Sequence, residues 1–327
     1  FRFRRSHGCC FEHAKSLKKT PCGIDSSNMF FFAYGRNAFD SLRCFSFIPY
    51  GISDGFVSLP FDREFCFKYS NRYIEMKTNR FGARLLDAGH YEQTALAFGE
   101  SQLLGLDASD TDGPHDLSAL FSDHNFEIYA APNNGPFEAL ERVNDLGQQI
   151  TIGNKTVVVG FNFGTDIFRI RSNWDPRSFV PVDSEVLNWT FMIPGLHDIL
   201  LFHARLKGVK FGSTVSDSDS VRKYYFAMTD RERGINTLNW LTGVSHSKLM
   251  EARERAVILF PPYWYINASD TQKLEIKNDY HSFACNILEA NIFHKVLYAE
   301  LPEGENVLTR DNRHFRTGTL NYLSFEC

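Results

Sequence analysis

A chain of 327 residues, 43% hydrophobic and 23% charged, has the composition of an ordinary folded protein with a full-sized core, which excludes a disordered or fibrous chain. Its net charge of -4 offers no basic footprint for a phosphate backbone, so nucleic acid is not an expected partner. No stretch approaches the roughly 18 apolar residues of a membrane span, which excludes an integral helical membrane protein.

Residues 1–90 are rich in aromatics (Phe30, Phe31, Phe32, Phe45, Phe47, Phe56), Gly and Pro, carry an Asp54-Gly55 turn signal, and lack a long helical period. They read as an N-terminal accessory region, β-rich or irregular, whose phenylalanines make core and sheet contacts. The leading FRFRRSHGCCFEH is basic but has no apolar segment behind it, so a cytoplasmic protein is expected. The absence of an initiator Met points to a chain that starts inside a longer one, with room for an upstream targeting segment. Seven cysteines (Cys9, Cys10, Cys22, Cys44, Cys66, Cys285, Cys327) are odd in number and form no CxxC pair, which predicts reduced thiols. Cys9, Cys10, His13 and Cys22 could be drawn as a metal site, but a second half with zinc-ligand spacing is missing, so no metal is expected.

From residue 91 onward, short apolar runs alternate with longer amphipathic ones. The strands expected are 94–98 (TALAF), 126–130 (FEIYA), 156–163 (TVVVGFNF), 256–260 (AVILF) and 295–299 (KVLYA). Helices are expected over 136–146, 184–206, 235–255 and 270–293. This alternation predicts an α/β domain over 91–327: a three-layer, doubly wound, parallel five-stranded sheet with helices on both faces. The polar stretches DASDTDGPHD (107–116) and STVSDSDS (213–220) read as solvated loops; the first lacks the twelfth-position glutamate of a calcium loop.

Ligands of such sheets bind outside the carboxyl ends of the strands, so chemistry is sought there. The first strand runs into Gly99-Glu100-Ser101, the second into Pro132-Asn133-Asn134-Gly135, and the third into Asn162-Phe163-Gly164-Thr165-Asp166; beyond the fifth lies Asp311-Asn312-Arg313-His314. A serine at a strand-to-helix turn exposes its hydroxyl beside backbone N–H groups able to hold an oxyanion. Gly135 can add an N–H, and Asn162 or Thr165 a side-chain donor. Asp311 and His314, three residues apart, suit a carboxylate that orients an imidazole, which in turn takes the serine proton. The plainer alternatives are a helix N-cap for Ser101, a surface histidine for His314, and a buried loop-satisfying amide for Asn162.

These blocks resemble the SGNH (GDSL-type) hydrolase superfamily. FGESQLLG resembles its first block, PNNGPFE its second and DNRHFRTGTLNYLS its fifth, while TNRFGAR (78–84) resembles the Asn-x-x-Gly-x-Arg lead-in of some members. The resemblance covers roughly residues 75–327. It implies a flavodoxin-like sheet, Ser101 as nucleophile, His314 as base, Asp311 as its partner, and an oxyanion hole of Ser101 N–H, Gly135 N–H and a third donor. Glu100 stands where the family has Asp, and GFNFGTD fits the third block in two registers. Asn162 is preferred over Asp166, because an ionised carboxylate cannot donate, with Thr165 as the fallback.

The expected function is a serine-dependent acyl-ester hydrolase or O-acyltransferase. By family resemblance it removes or transfers acetyl groups on a carbohydrate or polysaccharide, without metal or organic cofactor. Its partners would be an acylated small molecule or glycan and, for transfer, an acetyl donor. Trp174, Tyr263, Trp264 and Tyr265 could stack on sugar rings, or pack against the sheet end. Arg169, Arg171 and Arg177 could meet an anionic substrate such as an acidic glycan, but surface solvation is the preferred account. The alternative is a catalytically silent SGNH-fold module that binds glycan or protein.

Overall fold

The computed structural model describes residues 44–45, 51–53, 56–69, 72–86, 93–107, 116–131, 134–169, 218–302, 308 and 314–324. All of them belong to one unit, Ser41–Cys327. The strands are β1 (Cys44–Phe45), β2 (Gly51–Ser53), β3 (Phe56–Ser58), β4 (Glu64–Tyr69), β5 (Arg72–Lys77), β6 (Arg84–Leu86), β7 (Thr94–Gly99), β8 (Asn125–Ala130), β9 (Thr156–Asn162), β10 (Glu254–Phe260), β11 (Lys295–Ala299) and β12 (Tyr322–Ser324). The helices are α1 (Ser101–Leu104), α2 (Asp116–Leu120), α3 (Pro136–Gln149), α4 (Phe163–Arg169), α5 (Ser218–Ala227), α6 (Asp230–Ser245) and α7 (Asp270–Glu289).

The central sheet has seven strands in the order β12-β11-β10-β9-β7-β8-β6. Five of these, β8-β7-β9-β10-β11, are parallel to their neighbours and correspond to the five apolar runs read from the sequence. They are legible because a parallel strand buried on both faces needs a continuous apolar run: every residue of β9, TVVVGFN, is buried. The expected count of five is nevertheless corrected to seven. Two three-residue strands pair antiparallel at the edges, β6 on β8 and β12 on β11. Elements this short carry no periodicity, and they cover edges that would otherwise present unpaired backbone groups.

Helix ends follow their caps more than their apolar stripes. α6 starts at Asp230, before the expected 235, because Thr229 and Glu232 form a capping box. It stops at Ser245, and the residues expected to continue it as far as 255 instead turn through Lys248–Glu251 and enter β10. α7 opens on a second capping box, Ser269 with Gln272, and ends at Glu289, just before Asn291 takes a positive φ of 54°. The helix expected over 184–206 lies outside the described residues.

N-terminal to the central sheet, β1, β4 and β5 form a three-stranded sheet and β2 pairs with β3. Here the expectation of reduced thiols is overturned. Cys44 and Cys66 are register partners on the parallel strands β1 and β4, with Cα atoms 4.6 Å apart, and form a disulfide. Cys285 is disulfide-bonded as well. A separation of 22 residues carries no pattern in sequence; only strand pairing brings the two sulfurs together. Two bonds take four of the seven cysteines, so titration of the unfolded, unreduced protein with a thiol reagent is expected to find at most three. Seven would contradict the pairing. Replacing Cys44 and Cys66 by serine is expected to lower stability by roughly 3 kcal/mol, the chain-entropy value for a loop of this length, measured by denaturant unfolding.

Candidate active site

The strand order reverses direction between β7 and β9, the position at which open α/β sheets form a crevice at their carboxyl ends. β7 and β9 pair with Phe98 opposite Val159, so Glu100 and Ser101 leave β7 beside the end of β9, where Asn162 donates to Glu100. On the other flank Gly99 pairs with Ala130, which leads to Gly135 at the start of α3. Three adjacent parallel strands thus deliver Ser101, Asn162 and Gly135 to one end of the sheet.

α1 sits tightly on the strands beneath it. A Cβ on Gly99 would lie 3.1 Å from the Gly160 carbonyl oxygen and from Leu103, and one on Gly160 would lie 3.1 Å from Leu103. Two glycines in facing strands therefore let the short helix descend onto the sheet. Its N-cap position is held by Glu100, not Ser101, and Glu100 makes no side-chain cap bond. The N-cap account of Ser101 therefore does not apply. Ser101 is the first helical residue, nine-tenths buried, and its Oγ lies 2.7 Å from Nε2 of His314 across 213 residues of sequence.

Glu100 Oε1 accepts from Asn162 Nδ2 at 2.6 Å, both side chains being buried. The amide keeps a second N–H to donate, while its Oδ1 has no hydrogen-bond partner among the described residues. Asp166, on α4, accepts from the Asn162 backbone N–H at 2.7 Å. Asp166 thus fixes the backbone at the end of β9, and Asn162 has the side chain that can donate. Thr165 Oγ1 is likewise buried without a partner among the described residues, which leaves it a candidate donor too. Gly135 is the N-cap of α3, its carbonyl accepting from Ala139, so its N–H precedes the helical ladder.

The lead-in TNRFGAR acquires a physical account. Asn79 Oδ1 accepts from Phe81 N and Ala83 N, closing a turn in which Gly82 has a φ of 72°. The turn aims Arg84, fully buried, so that its Nη1 donates to Leu104 O at 2.7 Å and Gly105 O at 2.8 Å. These carbonyls close the helix that begins with Ser101, so Arg84 anchors that helix from beneath.

Several contributors were not read from the sequence. Tyr69, at the end of β4, places its hydroxyl 3.4 Å from His314 Nδ1. The alternation of EFCFKY, with Phe65 and Phe67 buried, puts Tyr69 on the same inward face, which is the signal that could have found it. The segment after His314 is held by two carboxylates: Asp107 accepts from Thr317 N and Oγ1, and Asp116 from Gly318 N and the Tyr322 hydroxyl. Burial pushes the Asp116 carboxyl above the usual range, against the pull of those donors. Both ends of the calcium-loop-like stretch are therefore committed to this turn, and no cluster of metal-ligating side chains occurs among the described residues.

The proposed sugar-stacking role is corrected for Trp264, which is buried against Tyr225 and Phe226, and for Tyr263, which is also buried. Packing takes up their surfaces. Asp311, Trp174, Arg171, Arg177 and the Cys9, Cys10, His13, Cys22 group lie outside the described residues.

No family model matches the chain, and no curated protein matches it. Among solved structures, the lipase Lip_vut3 from a goat rumen metagenome aligns at a TM-score of 0.33 and 12% identity, covering 69% of this chain and 90% of that one. A likeness this slight decides neither fold nor activity.

Proposed function

We propose that the chain is a serine-dependent acyl-ester hydrolase or O-acyltransferase of the SGNH kind. The observation that carries this reading is the 2.7 Å contact between Ser101 Oγ and His314 Nε2 at the carboxyl end of the parallel sheet. The strand order β8-β7-β9-β10-β11, flavodoxin-like in its sequence 2-1-3-4-5, supports it.

In the proposed reaction Ser101 Oγ attacks the ester carbonyl carbon as its proton passes to His314 Nε2. The oxyanion is received by the N–H groups of Ser101 and Gly135 and by the second amide N–H of Asn162, with Thr165 the alternative third donor. Collapse expels the alcohol, which takes the proton from His314. Water, or a sugar hydroxyl, then gives its proton to His314 and attacks the acyl-enzyme; the bond to Ser101 Oγ breaks, Oγ takes the proton back from His314, and the acid or acylated sugar leaves. An acetylated carbohydrate as substrate rests on the family resemblance. An oxidising compartment, in place of the expected cytoplasm, is supported by the Cys44–Cys66 disulfide. No helix among the described residues is long and apolar enough to cross a membrane.

Two side chains are candidates for the orienting role at His314 Nδ1: Tyr69, whose hydroxyl lies 3.4 Å from it, and Asp311, by the family resemblance. A carboxylate stabilises the imidazolium by its charge, whereas the Tyr69 hydroxyl offers only a dipole, so Asp311 is the expected partner. Asp311→Asn is therefore expected to lower kcat by on the order of ten-thousandfold and Tyr69→Phe by less than about tenfold. The reverse ranking would make Tyr69 the orienting group. The function itself is tested by incubating the protein with an aryl acetate and then with acetylated glycans, with and without acceptor sugars. Acid release identifies an esterase, acetyl transfer only with acceptor identifies a transferase, and neither favours the silent binding module.

A further inference from the structure

We infer that Gln102 is a positioning residue for the base, an assignment that rests on the acyl-transfer reading of the site. Gln102 follows the nucleophile, and Phe315 follows the base. The Gln102 amide mimics a strand partner: its Oε1 accepts from Phe315 N at 2.8 Å and its Nε2 donates to Phe315 O at 3.2 Å. Both residues are buried, Gln102 at 7% exposure and Phe315 at 1%. The side chain satisfies both polar groups of a single peptide residue in a dry site, where an unmet donor or acceptor is costly.

The consequence is geometric. His314 shares its backbone with Phe315, and Gln102 shares its backbone with Ser101, so the clamp joins the two reacting side chains through one rigid pair of hydrogen bonds. The outer staples, Asp107 on Thr317 and Asp116 on Gly318, hold the same segment farther from the reacting atoms. Of these three side chains, Gln102 is the one that grips the residue next to the base. Hydrolysis and transfer require the same Ser101–His314 approach, so the clamp serves either outcome.

The test uses Gln102→Met, which keeps the length and volume of the side chain and removes both hydrogen bonds, beside Gln102→Ala, His314→Ala and the double variant His314→Ala/Gln102→Met. Aryl acetate kinetics, the rate of fluorophosphonate labelling and thermal melting are measured for each. For Gln102→Met, kcat and labelling rate are expected to fall by about tenfold to a hundredfold with KM within about twofold, as for a base displaced by a fraction of an ångström to an ångström. In the His314→Ala background the same change is expected to add no further loss, because Gln102 acts through the imidazole. A folded Gln102→Met with wild-type kcat, or a loss that persists in full without His314, overturns the assignment while leaving the enzyme reading intact. Wild-type protein that neither labels nor turns over overturns the enzyme reading, and this assignment with it.

Discussion

Ser101→Ala is expected to lower kcat on an aryl acetate by on the order of a million-fold while leaving the unfolding free energy within about 1 kcal/mol of wild type. The size follows from cooperation among the groups. In the proposed mechanism, without Oγ there is nothing for His314 to deprotonate, and the oxyanion donors act only on direct attack by water, so removal of one member costs nearly as much as removal of the set. The small effect on stability follows from the contacts: Oγ meets His314 at the rim of the sheet, and the helix beneath is seated by Leu103, Leu104 and Arg84. Steady-state kinetics and a denaturant melt on one preparation check both halves. Activity within about tenfold of wild type would mean that another group is the nucleophile.

The second large effect is expected at Arg84. Truncation to alanine removes a fully buried guanidinium and leaves the Leu104 and Gly105 carbonyls without their donor. Each orphaned acceptor costs about 1–3 kcal/mol, and the emptied volume adds to it, so a loss of about 3–5 kcal/mol is expected from denaturant unfolding. For a domain of ordinary stability, roughly 5–15 kcal/mol, that is a large fraction of the whole. Because those carbonyls terminate the helix that begins with Ser101, the proposed catalysis is expected to fall even where the variant stays folded. A melt within about 1 kcal/mol of wild type would show that the arginine is dispensable and the lead-in TNRFGAR has another purpose.

What could be read in advance divides along physical lines. Buried parallel strands announce themselves, since TVVVGFN and AVILF can be satisfied only with apolar cover on both faces. Strand-end chemistry is also readable, because the sheet brings every carboxyl terminus of its parallel strands to one side; Ser101 and His314 could be named without knowing that the chain returns, 213 positions later, to within 2.7 Å. Relations set by register or by tertiary turns could not be read. The Cys44–Cys66 bond needs β1 beside β4, the Gln102 clamp needs the fifth-block segment laid against α1, and Tyr69 needs β4 brought near His314. The two readings of GFNFGTD look alike in sequence and differ in space: Asp166 turns back to accept from the backbone N–H of Asn162, while the Asn162 side chain faces Glu100. Tyr263 and Trp264 erred in the opposite direction, since proximity to a strand end says nothing about whether a ring has a free face.

The central claim is that Ser101 is an activated nucleophile. Exposure of the wild-type protein to a fluorophosphonate, followed by proteolysis and mass spectrometry, tests it directly. The expected result is one covalent adduct, on the peptide containing FGESQLLG and localised to Ser101, that is lost in His314→Ala. An unlabelled protein, or an adduct on a different residue, would contradict it.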